Sequence, residues 1–429
     1  MQYTKRRMLL FSYFYPPLGG PGVQRPCKMT AYLQKHNWDI DVISVKEIVY
    51  HSKDKKLFSE CGERKLYNVP SLDLMSILKL VSAGSKKVRE KIYFSTPEKF
   101  KNVIRNVFPV DDKIGWLPFA YQSACRLNKK NDYDVIMATI GPYTSAVTAY
   151  LVAKKFRKPL VIDYRDPWVL HPYLTFLTPL HKKIGEYWEN KILHYAQVIT
   201  TSSRKNKTDL CKKYGSELKR KIQVMYNAWD EQDFSDVQPH RDDDKVIFSY
   251  VGGFYGNQTP KFFIRALEEL KNENKLPSDI KIQFVGNLFK EVKEILADST
   301  VSQYIEQIPQ VPHKKAIQYM LSSNVLLLFI SSVKSKGVVA GKVFEYIRAQ
   351  KEILAMVPVE GETADILREY DCKFICNMEN VEEIKHNFIK LYKMAKENKT
   401  GEPAVDEKYC RKKQIYEFEK FLKKHLAGN

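Results

Sequence analysis

The chain has 429 residues, 44% hydrophobic and 28% charged, with a formal net charge of +20. That length suits about two packed domains, and the composition excludes a disordered chain. The longest apolar run, "VLLLFI" at 325–330, is far short of the ~20 residues that cross a bilayer, so a soluble cytoplasmic protein is expected.

Seven scattered cysteines lack CxxC or matching histidine spacing, which argues against zinc and against a disulfide framework and fits a reducing compartment. The net charge would attract nucleic acid, anionic lipid or phosphorylated small molecules. Its basic runs, at 79–93, 154–158, 205–221 and the C-terminal segment, each read singly as a solvated helix face.

The opening "MQYTKRRMLLFSYFYPP" has a basic start, but its apolar run is too short for a signal peptide and no cleavage site follows. "MLLFS" (8–12) reads as a strand. After the loop "YPPLGGPGVQR", Val23, Cys27 and Ala31 mark one helix face, and "DIDVISV" (39–45) alternates as a second strand. This is a βαβ unit with parallel strands.

Residues 46–130 break the rhythm and read as an irregular, mostly helical insertion. Within it Leu74, Ile77, Leu78 and Val81 line one side, with lysines and arginines after them. That 74–93 stretch suits either an anionic membrane surface or packing on its own domain. Strands follow at 133–140, 159–164, 197–202 and 222–227, separated by helical patterns.

The polar segment "SDVQPHRDDD" (235–244) has the composition of a linker. A second series follows, with strands at 246–253, 280–286, 324–330 and 352–357 and helices at 259–272, 289–297, 313–322 and 341–350. Cys372 and Cys376 belong in or beside a short strand. The expected fold is α/β: two doubly wound Rossmann-like domains, 1–234 and 245–404, facing across a cleft, then a helical segment 405–429. Ligands of such sheets bind beyond the carboxyl ends of the strands.

Four stretches at such ends carry candidate chemistry. The loop with Gly19, Gly20 and Gly22, before Arg25, lets backbone N–H groups and a helix N-terminus face an anion. Pro21 interrupts it, G-x-G-x-x-G is not matched and no GK[ST] follows, which weighs against NAD and against a Walker loop. "PLVIDYRDPW" (159–168) delivers Asp163, Arg165 and Asp166, as a structural ion pair or as catalytic groups.

"YVGGFYGNQTP" (250–260) supplies Gly252 and Gly253. In the fourth stretch, 331–358, Gly337 and Gly341 loosen a turn before Lys342, suited to a phosphate, and Glu345, suited to a ribose diol. "RDDDK" (241–245) has the letters of a metal pair but lies in the linker.

Taken together, "YPPLGGPGVQR", "DYRDPW", "YNAWDEQDF", "YVGGFYGN" and "GKVFEYIRAQKEILA" resemble the large retaining glycosyltransferase family four, of the GT-B fold, over nearly the whole chain. The resemblance implies an N-terminal acceptor domain, a C-terminal nucleotide-sugar domain and a last helix, 405–427, crossing back to the first domain. It implies no metal and no other cofactor. It places Gly19, Gly20 and Gly22 near the donor diphosphate, Glu345 as the second glutamate of E-x7-E, and Asp166 and Arg165 near the sugar carbon.

The first glutamate would fall at 337, where this chain has Gly337. The basic residues that commonly follow the second domain's first strand are also missing, a charge that Lys342, or else Gln258 or Lys261, would supply. The implied activity moves a sugar from a nucleotide sugar to a carbohydrate or lipid-linked acceptor in bacterial surface polysaccharide synthesis, at the inner membrane face. The alternatives are a sugar-nucleotide epimerase of like architecture and a non-enzymatic nucleic-acid binder. Dispersed basic runs and the absence of a recognition motif weigh against nucleic acid.

Overall fold

The computed structural model describes residues 5–46, 48, 55–72, 108, 110–171, 176–240, 244–254, 258–331, 336–397, 405 and 407–427. The amphipathic stretch 74–93 and residues 241–243 of the linker lie outside them. The chain forms two compact units, Met1–Tyr226 with Ile415–Asn429, and Asn227–Gln414.

The first unit runs β1 (Arg6–Phe11), α1 (Pro21–Gln34), β2 (Trp38–Val45), α2 (Lys55–Glu60), β3 (Lys65–Val69), α3 (Leu117–Asn131), β4 (Val135–Thr139), α4 (Thr144–Phe156), β5 (Leu160–Tyr164), α5 (Pro179–Tyr195), β6 (Val198–Thr201), α6 (Arg204–Tyr214) and β7 (Ile222–Val224). Its seven strands are parallel, in the order β3-β2-β1-β4-β5-β6-β7. Strands β4, β5 and β6 are buried along their whole length. That is why they read as near-continuous apolar runs rather than as alternating ones.

The second unit runs α7 (Glu231–Phe234), β8 (Val246–Val251), α8 (Lys261–Asn272), β9 (Ile280–Val285), α9 (Lys290–Ala297), β10 (Ile305–Ile308), α10 (His313–Ser322), β11 (Val325–Phe329), α11 (Lys342–Ala349), β12 (Glu352–Met356), α12 (Glu362–Glu369), β13 (Ile375–Cys376) and α13 (Val381–Lys396). Its parallel sheet has the order β10-β9-β8-β11-β12-β13, and Cys376 lies in its last strand. Renumbered from its own first strand, that is 3-2-1-4-5-6, the order of dinucleotide-binding sheets. The direction in which successive strands are added reverses between β1 and β4 in one unit and between β8 and β11 in the other. In each, the crevice at this switch point is the expected ligand position.

The last helix, α14 (Arg411–Leu426), begins in the second unit and belongs to the first from Ile415 onward. Its Ile415, Phe418 and Leu422 join the first unit's core. Its buried Glu419 accepts from Trp38 Nε1 at 3.1 Å and pairs with His36 Nδ1 at 2.7 Å.

Three expectations change. The segment 46–130 is not only helical: β3 pairs with β2 as a sheet edge. β3 and β10, neither of them expected, are edge strands, as is β13, the short strand expected at Cys376. Their side chains need no buried stripe, so pairing rather than local pattern makes them strands. The boundary falls after Tyr226 and not at 234, because α7 packs on α10 and Trp229 bridges to Cys410 within the second unit.

The cysteines also differ from expectation. Cys27 on α1 and Cys61 just beyond α2 form a disulfide, with Cα atoms 4.7 Å apart. Packing of α1 on α2 brings them together, which spacing along the chain does not show. The other five cysteines are free thiols.

Candidate functional site

Each unit gathers one group of the expected residues at its switch point. In the first, Gly20 caps α1 with a φ of 99°, open to glycine at little cost. Gly19 before it is buried. The Gly22 carbonyl accepts from Arg165 Nη1 at 3.0 Å.

Gly22 and Gly141 leave room for this guanidinium. A Cβ would stand 2.8 Å from Nη1 at Gly22 and 2.5 Å from Nη2 at Gly141. Arg165 therefore lies between the exits of β1 and β4. Asp166 Oδ2 accepts from Arg165 Nε and Nη2, each at 2.8 Å, and keeps 45% of its side chain exposed.

The corner is held rigid around them. Tyr143 stacks on Trp168 with centroids 4.7 Å apart and donates to the Pro167 carbonyl at 2.7 Å. The Trp168 N–H donates to the Tyr164 hydroxyl at 2.8 Å. Burial, with the nearby Asp166 charge adding, pushes the Tyr143 phenol well above its ordinary range, so it stays protonated.

Asp163 and Arg25 belong elsewhere. Asp163 is fully buried and accepts from Arg25 Nη2 at 2.7 Å, from Thr200 Oγ1 at 2.7 Å and from Thr139 Oγ1 at 2.9 Å. Burial alone would raise its pKa, but the Arg25 charge and these hydrogen bonds hold it below the usual carboxylate range. Arg25 also donates to the carbonyls of Met225 and Tyr226 at 3.0 and 3.2 Å. Strand β5 thus delivers a structural ion pair at Asp163, and the expectation that Asp163 acts catalytically and Arg25 on the donor gives way to a core role. The exposed carboxylate is Asp166, three residues on.

In the second unit Lys342 opens α11 and lies against the exit of β8. It donates to the Tyr250 hydroxyl at 2.7 Å, with its ammonium 3.9 Å from the ring centroid. That hydroxyl donates in turn to the Gly253 carbonyl at 2.7 Å. Gly252, at φ 130°, has the ammonium where a Cβ would stand 2.7 Å from it, so a side chain there would displace Lys342. One turn along α11, the Tyr346 hydroxyl accepts from the Val251 N–H at 2.9 Å and satisfies the end of β8.

Burial lowers the Lys342 pKa to about 7, partly offset by Glu345. Burial would raise Glu345, but His313, Arg411 and Lys342 outweigh it and hold a carboxylate. His313 Nε2 lies 2.8 Å from Glu345 Oε1. Gln258 and Lys261 fall at the start of α8, where the Lys261 N–H donates to Thr259 Oγ1 at 3.2 Å. Among the three candidates for the missing cation, Lys342 is the one set against Gly252. Gly341 is exposed at the foot of α11. His313 went unnoticed in the sequence, since "VPHKK" reads only as a helix start.

The model of the Glycosyltransferase Family 4 matches residues 79–233, and that of the Glycosyl transferases group 1 matches residues 231–404. A glycosyltransferase from Rickettsia africae shares the fold at TM-score 0.64 and 13% identity, over 100% of both chains. Anabaena Alr3699/HepE, solved with UDP and glucose, has TM-score 0.59 and 12% identity over 98% of this chain and 100% of its own. A putative UDP-N-acetylglucosamine 2-epimerase from Listeria monocytogenes has TM-score 0.57 and 11% identity over 99% and 98%. These likenesses are of fold alone. The chain has no match among the curated proteins. Two family models that meet at residues 231–233, the first over β4–β7 and the second over the whole of the second sheet, support a glycosyltransferase with a GT-B-like fold.

Proposed function

We propose that this enzyme moves a sugar from a nucleoside-diphosphate sugar to a carbohydrate acceptor with retention of anomeric configuration, in the synthesis of a cell-surface polysaccharide. The observation that carries this reading is the contact of Lys342 with the Gly252–Gly253 turn at the switch point of the second sheet, one helical turn from Glu345. A half-buried cation beside open backbone suits a diphosphate, and a carboxylate held as an anion suits a ribose diol. Complexes of Anabaena Alr3699/HepE with UDP support a nucleotide donor.

As the bond from C1 to the diphosphate oxygen breaks, the leaving group takes the electron pair. Lys342 then stabilises its negative charge, beside the open Gly252–Gly253 turn. The acceptor hydroxyl forms the new bond to C1 and passes its proton to the departing diphosphate oxygen. Asp166, oriented by Arg165, is the carboxylate assigned to the positive character on the sugar; Gly19, Gly20 and Gly22 keep its corner open.

The net charge of +20 supports a lipid-linked acceptor at an anionic surface, which flotation with anionic vesicles checks. No preference for anionic over neutral vesicles would remove that part.

The main test incubates the protein with nucleoside-diphosphate sugars and oligosaccharide primers, then follows free nucleotide and extended primer by chromatography. Anomeric NMR of the product reads retention. A sugar nucleotide altered without any primer would instead establish an epimerase.

A further inference from the structure

The first turn of α11 is met by the first residue of α10. His313 follows Pro312 directly and projects from α10 toward α11 on one side and α7 on the other. Its Nε2 is 2.8 Å from Glu345 Oε1, and its Nδ1 is 3.9 Å from Asp233 Oδ2 on α7. The three side chains are 29%, 21% and 17% exposed, so the chain of polar groups is half-buried. Lys342 and Arg411 are the other charges that act on Glu345.

We infer that His313 is a positioning residue for the nucleotide: by donating from Nε2 to one oxygen of Glu345, it fixes the carboxylate in the rotamer that meets the ribose hydroxyls. The inference rests on the reading of Glu345 as the ribose contact. A glutamate has three rotatable bonds, and holding it still lowers the ordering cost that each binding event would otherwise carry. The donor is present in the neutral Nε2–H tautomer and in the cation alike. Asp233, on the far side, favours the histidine orientation that turns Nε2 toward Glu345. Because the hydrogen bond acts on the ribose contact and not on the phosphate contact, the two halves of a nucleotide should respond differently to its loss.

That difference supplies the experiment. Dissociation constants are measured for UDP, GDP, ADP and dTDP, and separately for inorganic pyrophosphate, in the full-length wild type and in His313→Ala, His313→Gln and Glu345→Ala. His313→Ala is expected to weaken the best-bound nucleotide roughly tenfold, as for a lost hydrogen bond to a charged group, and to leave pyrophosphate unchanged. His313→Gln, whose amide donates from nearly the same place, should restore the nucleotide affinity. Unchanged nucleotide affinity in His313→Ala overturns the proposal, and so does an equal loss for pyrophosphate, which marks a purely structural residue.

Should the alanine variant fail to fold, His313→Asn, too short to reach Glu345, replaces it in the comparison with His313→Gln. If Glu345→Ala binds nucleotide as tightly as wild type, the ribose reading itself fails and His313 has nothing to position. If Glu345→Ala weakens binding and His313→Ala does not, the inference fails alone. A wild type that binds none of the four nucleotides ends both.

Discussion

Lys342 is held on Tyr250 twice, through a hydrogen bond of 2.7 Å to the hydroxyl and through the ring face 3.9 Å from its ammonium. Both contacts favour the cation, yet burial prevails and brings its pKa to about 7 from an ordinary 10.5. The lysine is thus poised to change charge when an anion arrives.

A diphosphate beside Lys342 should raise its pKa again, so nucleotide binding at pH 8 should take up close to one proton, and binding at pH 6 almost none. Titration calorimetry in two buffers of different ionisation enthalpy reads the difference. Equal heats in both buffers at pH 8 would remove Lys342 from the phosphate site. The same shift acts on folding. Between about pH 7 and 10.5 the unfolded chain holds this proton and the folded chain does not, so the Lys342 contribution to stability rises with pH across that window.

Asp166→Asn should lower turnover on the order of a hundredfold, the scale of a lost catalytic carboxylate, while leaving melting temperature and nucleotide affinity unchanged. Its side chain is 45% exposed and paired only along the surface of the corner, which makes a large folding cost unexpected. Steady-state kinetics beside a thermal melt would check this. Turnover equal to wild type moves the catalytic assignment elsewhere.

Arg25→Ala should destabilise the first unit by about 3–5 kcal/mol, because it strands the buried Asp163 charge. Urea denaturation followed by tryptophan fluorescence measures it. A variant as stable as wild type but without activity would return Arg25 and Asp163 to the site.

Glu189 gives a pH-dependent test of the core. It is 1% exposed, and burial pushes its pKa up to about 7, against hydrogen bonds from Tyr214 and the Val169 N–H and the charge of Lys213. The unfolded chain ionises near the ordinary 4.5, so the cost of burying this charge grows from there and is complete above about pH 7. Glu189→Gln should gain up to about 3 kcal/mol at pH 8 and nothing at pH 4. Melting curves at the two pH values decide, and an equal effect at both would mean that the carboxyl does not titrate in this range.

Most of the sheet architecture was legible in the sequence. Ten strands were readable because most deliver a buried apolar run, several with glycine or proline at the end, as in "VIFSYVGG". The strands that were not, β3 and β10, sit at sheet edges, where one neighbour suffices and polar residues are tolerated. Of the site, the glycine exits and the pair Lys342 and Glu345 were visible because strand end, glycine and helix start follow one another along the chain. The Cys27–Cys61 disulfide was not, since nothing in the spacing of a residue on α1 and one just beyond α2 marks their approach.

By its own pattern, then, the sequence determined which segments become strands and helices and which residues stand at strand ends, because periodicity and chain-reversing residues act over a few positions. Tertiary structure decided the partners. Arg25 goes to Asp163 in the core, Arg165 passes between Gly22 and Gly141, and His313 reaches Glu345. These pairings depend on β1, β4 and β5 lying side by side and on α10 packing against α11. Adjacency of that kind is fixed by the packing of whole elements, so a charged residue at a strand end has two possible fates until its neighbours across the sheet are in place.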